Sequence, residues 1–231
     1  MGRNLELSTR KEDTRSKVVP MIVRFEMEEI KQHFDESMSV VEGMFDVAKN
    51  LLDNKNKTQA ENIWRAQVVF IVSAFDFFMH EITKFGLGKI FDGEWNPTIK
   101  YSNINISLEV LNKALKNGES SEWFLEFVNE QFAKTTMVSY AEVKEQINLL
   151  GLNMQVLADD IFYQLGSKEK TIDKLKNCLN GLFFKRNVIA HQSDRKHANA
   201  EIMEITEEFV RGYVNDMNKI VDGIVKQINE K

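Results

Sequence analysis

The chain has 231 residues, of which 43% are hydrophobic and 28% are charged, and it contains only 2 Pro and 11 Gly. This composition favours a packed helical protein and argues against a disordered chain or a β-fold with many turns. The single cysteine, Cys178, excludes an intramolecular disulfide and a cysteine-rich zinc site, and a net charge of −5 lacks the basic excess of a general nucleic-acid binder. We therefore expect a cytoplasmic all-α protein in which any site for a polyanion is local.

The N-terminal part of the sequence predicts a helical hairpin. Residues 1–20 carry charge throughout and lack the apolar stretch of a signal peptide, so we expect a flexible or loosely docked segment. Apolar residues then recur in steps of three and four over 27–52, which predicts a long amphipathic helix. After a polar turn at 53–58, Thr58 and Glu61 have the spacing of a capping box. The helix that follows is apolar almost all round and should be the most buried one.

The remainder of the chain predicts shorter helices and a long last one. Residues 86–107 break the helical period with three Gly and a Pro, which indicates a long connection. Further helices are predicted at about 108–115, 121–132, 140–150, 154–165, 170–191 and 198–228. No internal repeat or linker interrupts the chain, and no apolar stretch is long enough for a membrane helix. We predict one domain over 1–231, a compact all-α bundle with long N- and C-terminal helices and an up-down core.

The densest cluster of chemically functional side chains is KRNVIAHQSDRKH at 185–197. Residues 168–197 contain eight Lys and Arg against three Asp and Glu, so this end of the chain is basic on an acidic protein. That charge either attracts RNA or is a solvated helix face. The sequence has no glycine-rich phosphate loop, HExxH pair, GxSxG elbow or calcium loop, which removes the usual signatures of most enzyme classes.

The stretch RNVIAH resembles the RNxxxH signature of the HEPN superfamily, helical bundles in which an Arg, four to six residues and a His form a metal-independent ribonuclease site. The order of elements, with the motif at the end of the penultimate helix, is similar to the RiboL-PSP-type branch. The resemblance implies that Arg186 binds the scissile phosphate and stabilises its charge. It implies that His191 transfers a proton at the 2′-hydroxyl or the leaving oxygen, and that Asn187 orients both. It also implies a 2′,3′-cyclic phosphate product, no cofactor or metal, and no cleavage of DNA.

Helix geometry constrains this site. Five residues of a regular helix rotate by about 500°, which leaves Arg186 and His191 about 140° apart. Asn187 and His191 are four residues apart and lie one above the other. Arg186 and His191 reach one phosphate only if the helix loosens near His191 or if a partner chain supplies the second set of groups. Because motif helices of two subunits meet across a cleft in the HEPN family, we expect a homodimer with a composite site.

The second helix supplies supporting candidates. Ser73, Asp76 and His80 form a polar stripe at helical spacing on an otherwise apolar helix. By analogy with some HEPN relatives, Asp76 could pair with Arg186 or fix the tautomer of His191, and Glu81 is an alternative acid. The competing interpretation is a solvent-facing stripe.

Residues around the motif complete the set of candidates. Asp194 is a further supporting residue, and Lys185, Arg195, Lys196 and His197 are candidates for contact with RNA. For His197 the competing interpretation, an ordinary loop residue, is the favoured one.

Three functions compete on this evidence. The first is a metal-independent endoribonuclease that binds RNA. By analogy, it would be the effector of a toxin–antitoxin or anti-phage system, with an antitoxin or sensor protein as partner. The second is a non-catalytic HEPN-like module that binds RNA, a nucleotide or a protein. The third is a structural helical dimer, in which Arg186 and His191 would make intramolecular bonds away from any cleft. The intact motif favours the enzyme.

Overall fold

A computed structural model describes residues 23–116, 122–133, 135–196 and 198–231, so the segment 1–20 and His197 lie outside the described residues. Over these ranges the chain forms helices only, apart from one isolated antiparallel bridge between Arg195 and Ile202. The helices are α1 (Met27–Asp53), α2 (Lys57–Phe91), α3 (Ile99–Ser102), α4 (Leu108–Lys116), α5 (Glu122–Phe132), α6 (Tyr140–Leu149), α7 (Met154–Phe162), α8 (Thr171–Gln192) and α9 (Glu207–Asn229). The predicted all-α class is confirmed.

Helices α1 and α2 form the predicted hairpin. The apolar stripe of α1 is buried along its whole length, and the Phe34 ring lies 5.7 Å from that of Phe78 on α2. Helix α2 is buried on most sides, as its apolar composition predicted, and it packs against α1, α5, α6, α8 and α9. It starts at Lys57 after Asn56, which makes no side-chain cap, so the predicted capping box at Thr58 is wrong.

The predicted break at Gly86 is also wrong, because α2 continues to Phe91. A Cβ at Gly86 would lie 2.6 Å from Leu150 Cδ2 and 2.9 Å from Trp95 Cζ3, so glycine at this position allows close packing inside the helix. The turn comes instead at Gly93, whose φ is +77°. The connection to α4 therefore covers 92–107 and contains the short α3.

Helix α9 begins at Glu207, nine residues after the predicted start at 198. Ala200 has a positive φ of 58° and Ile202 pairs with Arg195, so the chain folds back here and cannot be helical. The Thr206 side chain then accepts the Phe209 N–H at 3.2 Å and caps the new helix. The result is a loop directly after the motif, described over 193–196 and 198–206 and called the loop 193–206 below.

Helix α8 is held by neighbours on several sides. Its apolar residues Leu175, Leu179 and Leu182 are buried, and it packs against α2, α6, α7 and α9. Arg65, near the start of α2, contacts the loop that follows α8, so the end of α8 lies beside the N-terminal part of α2. None of the described helices combines the length and apolar character needed to cross a bilayer.

Candidate active site

Arg186, Asn187 and His191 lie in the last two turns of α8. The helix is α-helical through Gln192 and ends at Ser193, which has left-handed dihedral angles of φ 50° and ψ 34°. The loosening near His191 that would bring it towards Arg186 is therefore not present. Regular geometry leaves the two residues about 140° apart on one chain.

Arg186 is half-buried, with its guanidinium carbon 5.4 Å from the centre of the Phe183 ring. It makes no hydrogen bond or ion pair with any described residue. Stacking on an aromatic ring orients the planar guanidinium and leaves its N–H donors available. Arg186 is thus an oriented cation with unused donors, which suits it to a phosphate.

His191 is exposed and Asn187 is half-buried, one turn apart on the same helix. Neither side chain is hydrogen-bonded to another part of the described chain. An imidazole with unoccupied nitrogens at the surface can accept or give a proton. The three motif residues therefore present a cation, an amide and a titratable ring that the fold itself does not use.

Lys185 and Asp194, in contrast, are bonded into the fold. Asp194 is fully buried, and the Lys185 Nζ lies 2.7 and 3.0 Å from its two carboxylate oxygens. Arg65 Nε donates to Asp194 Oδ2 at 2.8 Å, and Arg65 Nη2 donates to the Met203 carbonyl at 2.7 Å. We call Arg65, Lys185 and Asp194 the Asp194 clamp. It joins α2, the last turns of α8 and the loop 193–206.

A model of the family described as RiboL-PSP-HEPN matches residues 26–230. The chain belongs to the RiboL-PSP-HEPN family. The match extends from the residue before α1 to the last residue but one and includes the whole motif, so the predicted resemblance is confirmed. Comparison with curated proteins and with solved structures gives no significant match.

In this HEPN domain the clamp contains a residue that sequence reasoning missed. The sequence does not single out Arg65 as a site residue, because it lies in the helix predicted to be the most buried one. The available signal was a cation on the buried side of an almost wholly apolar helix, and such a cation requires a partner. Asp194, predicted as a supporting residue, lies next to the motif helix. Within the described residues its carboxylate contacts Arg65 and Lys185 and not Arg186 or His191.

The predicted RNA contacts of the HEPN domain divide into two groups. The Lys185 ammonium is taken up by Asp194 and its side chain is 12% exposed, so its contacts give the RNA-binding prediction no support. Arg195 and Lys196 are exposed; Arg195 donates to the Ala200 carbonyl at 2.6 Å, and Lys196 lies 3.5 Å from a Glu201 oxygen. These two cations are accessible to a polyanion, and their role stays a prediction.

Asp76 and His80 line a groove of about 430 Å³ between α2 and α5. Asp76 Oδ1 accepts the Met137 N–H at 2.6 Å, and His80 Nε2 lies 2.9 Å from the Thr135 carbonyl oxygen. Since a carbonyl only accepts, this contact places a proton on His80 Nε2. Both side chains thus anchor the segment after α5.

The polar stripe of α2 does not reach the motif. Within the described ranges, Asp76 forms no ion pair with Arg186 and no hydrogen bond with His191. Glu81 is buried and pairs with Lys84 at 2.6 Å. Asp76, His80 and Glu81 therefore stabilise the α2–α5 region in the single chain.

Cys178 lines a second groove, between α8 and α9, with Tyr213 and Asp216. Burial raises the pKa of the Cys178 thiol far above its usual range and raises the pKa of Tyr213 to about 12. The protonated thiol lies 3.7 Å from Asp216 Oδ2. A thiol held in this form is a poor nucleophile, so Cys178 is a packing residue. Across the described ranges, no group of three or more His, Cys, Asp or Glu residues is arranged to hold a metal ion.

Proposed function

We propose that the chain is a metal-independent endoribonuclease. The observation that carries the proposal is the contrast at the end of α8 in a HEPN-family domain. Lys185 is held in a buried ion pair, whereas Arg186 and His191 have no hydrogen-bond or ion-pair partner in the described chain. Unpartnered donors and a surface imidazole on a rigid helix are the groups that phosphodiester cleavage needs.

The proposed reaction uses the RNA's own nucleophile. The 2′-oxygen attacks the adjacent phosphorus, and the P–O5′ bond breaks, which leaves a 2′,3′-cyclic phosphate and a 5′-hydroxyl. Arg186 donates to the non-bridging oxygens, where negative charge grows in the transition state. His191 either takes the 2′-hydroxyl proton while water protonates the departing 5′-oxygen, or protonates that oxygen while water accepts the 2′-hydroxyl proton. Asn187, one turn from His191, orients the reacting groups, and DNA is not cleaved because it has no 2′-hydroxyl.

The active form in this proposal is a homodimer. Arg186 and His191 are separated by about 140° on one regular helix, so a single chain presents them to different directions. Two motif helices facing each other across a two-fold axis would let Arg186 of one copy and His191 of the other approach one phosphate. Arg195 and Lys196 would then lie beside the cleft and attract the RNA backbone.

The biological role is proposed as a toxin or anti-phage effector in the cytoplasm. A ribonuclease whose catalytic groups are uncovered in the isolated chain would need restraint in a cell. An antitoxin or sensor protein that covers the end of α8 would supply that restraint.

The test is cleavage of total RNA and transfer RNA in the presence of EDTA. Wild type should produce cyclic-phosphate ends, and Arg186→Ala and His191→Ala should lose about a hundredfold or more of the rate. Arg211→Ala is the matched control. Arg211 lies on α9, away from the motif, and its guanidinium carbon is 3.8 Å from the centre of the Phe45 ring, so it also stacks on a phenylalanine. It should cleave like wild type.

Two outcomes would contradict the proposal. If both motif variants, folded and of wild-type assembly state, cleave like wild type, the activity belongs to other residues or to a contaminant. If wild type binds RNA tightly without cleaving it, the chain is a non-catalytic RNA-binding module.

A further inference from the structure

The turn after α8 is held in an unfavourable backbone conformation. Ser193 and Asp194 both have left-handed dihedral angles, with φ of 50° and 56°. This conformation is unfavourable for a residue with a Cβ atom, so two such residues in succession persist only when their surroundings impose it. The Asp194 clamp supplies that constraint, two residues from the end of α8.

Two backbone hydrogen bonds and the Lys185 ion pair hold different parts of the turn. The Asp194 N–H donates to the Val188 carbonyl at 3.1 Å, which ties the turn to the last turn of α8. The Met203 N–H donates to the Asp194 carbonyl at 2.7 Å, which joins the two arms of the loop 193–206. Lys185 belongs to α8 itself and ties Asp194 back onto its own helix.

Arg65 alone brings a second helix into the clamp. Its Nε bonds the Asp194 carboxylate on one arm of the loop and its Nη2 bonds the Met203 carbonyl on the other arm. The planar guanidinium presents these two donors in a fixed relation, which an ammonium cannot reproduce. Arg65 therefore adds to the packing of α8 on α2 a direct polar tie between α2 and the turn that ends α8.

We propose that Arg65 is a positioning residue for His191. It holds the last turn of α8, and with it the backbone from which the His191 imidazole extends, at a fixed place in the bundle. This inference rests on the proposed function, since it assigns His191 a reaction to be positioned for. Misplacement of a catalytic group by about 1 Å can reduce a rate about a hundredfold, so the backbone anchor of His191 is a sensitive point.

The first test compares Arg65→Met with Arg24→Met. Arg24 also forms a partly buried ion pair, with Asp92 at 2.5 Å, but at the opposite end of α2 from the motif. In steady-state RNA cleavage we expect Arg65→Met to lower kcat about a hundredfold with KM changed less than about threefold, since Arg65 touches no substrate. Arg24→Met should keep the wild-type kcat.

A conservative variant separates positioning from general stability. Arg65→Lys keeps a cation for Asp194 but cannot also serve the Met203 carbonyl in the same geometry. We expect its kcat to recover to about tenfold below wild type, between the two other values. If Arg65→Met does not fold, Arg65→Lys carries the test alone. A wild-type kcat in either folded Arg65 variant, or an equal loss in Arg24→Met, would overturn the proposal.

A second measurement needs no RNA and stands if the proposed function fails. Amide hydrogen exchange over residues 188–196 should be at least about tenfold faster in Arg65→Lys than in wild type, because opening of the turn is then easier. Exchange over α1 should be unchanged, and Arg24→Met should leave 188–196 at the wild-type rate. Unchanged exchange in Arg65→Lys would overturn the clamp itself. Absence of RNA cleavage by wild type, with faster exchange in Arg65→Lys, would reject the ribonuclease and keep the clamp.

Discussion

Lys185 and Arg186 are adjacent and both cationic, yet they have opposite environments. Successive residues on a helix are turned by about 100°. The Lys185 ammonium therefore faces the buried Asp194, and the Arg186 guanidinium faces away from it. The sequence identified Arg186 through its spacing to His191 and Asn187. It also proposed Lys185 for RNA, because charge alone does not show whether a cation has a partner 9 residues further on.

Gly86 gives a test of close packing inside α2. Gly86→Ala should lower the free energy of unfolding by about 1–3 kcal/mol, because the new Cβ meets the buried Leu150 side chain and the Trp95 ring. This loss exceeds the gain of up to about 1 kcal/mol in helix propensity. The matched control is Gly43→Ala in α1, where nothing lies within 4 Å of the added Cβ. It should gain about 0.5–1 kcal/mol in urea denaturation, and equal gains at both sites would refute the packing argument.

Asp216 gives a test of pH dependence. Burial raises the pKa of its carboxyl above the usual range, so ionisation is less favourable in the folded than in the unfolded chain. The stability it contributes is complete below the unfolded pKa of about 3.9 and decreases as pH rises through the higher folded value. At pH 7, Asp216→Asn should therefore have a higher free energy of unfolding than wild type, as measured by urea denaturation. The gain should be less than about 1 kcal/mol, because the group is partly solvated.

The gain of Asp216→Asn should shrink as pH falls through the raised pKa of the folded carboxyl and should vanish below the unfolded pKa of about 3.9, because the wild-type carboxyl is then protonated in both states. Asp46→Asn, at an exposed position of α1, serves as the control substitution. A gain that stays constant from pH 7 to about one unit below the unfolded pKa of about 3.9 would show that ionisation of Asp216 is not its source.

At the scale of elements, amphipathic period predicted the helices well and their ends less well. The long α1 and the motif helix α8 begin and end within a residue or two of the prediction. The two large errors, at Gly86 and at the start of α9, have different causes. Helix α2 continues through Gly86 because the glycine fits against Leu150, which lies far along the chain. The start of α9 is delayed because the chain folds back at Ala200 and Thr206 caps the new helix.

The loop after α8 offers a matched pair of substitutions. Ser193→Gly removes the cost of a left-handed serine and should gain a few tenths to about 1 kcal/mol. Asp194→Gly relieves the same kind of strain but leaves Arg65 and Lys185 without their carboxylate, so it should lose about 3–5 kcal/mol. Chemical denaturation of both variants decides this, and a net gain for Asp194→Gly would show that backbone strain outweighs the clamp.

At the scale of the whole molecule, the separation of Arg186 and His191 predicts complementation between inactive chains. Arg186→Ala and His191→Ala, unfolded and refolded together, should regain about one quarter of wild-type activity. Half of the dimers formed at random are mixed, and each mixed dimer has one site with both groups intact. The measurement is RNA cleavage by the mixture against each variant alone.

The control for complementation is a mixture of His191→Ala with the variant that carries both Arg186→Ala and His191→Ala. This mixture contains no His191 and should stay inactive. If the first mixture also stays inactive although mixed dimers are detected, each site takes Arg186 and His191 from one chain, and the composite site is excluded.

The sequence by itself determined the all-α class, the hairpin of α1 and α2, and the motif at the end of α8. These features are local, because helical period and motif spacing are set by residues a few positions apart. Only the tertiary structure decided that Arg65 bonds Asp194 across 129 positions, that Lys185 is withdrawn from the surface, and that Asp76 anchors Met137 and not the motif. A buried charge takes as partner whichever opposite charge packing brings within reach, and that choice is made by the fold as a whole.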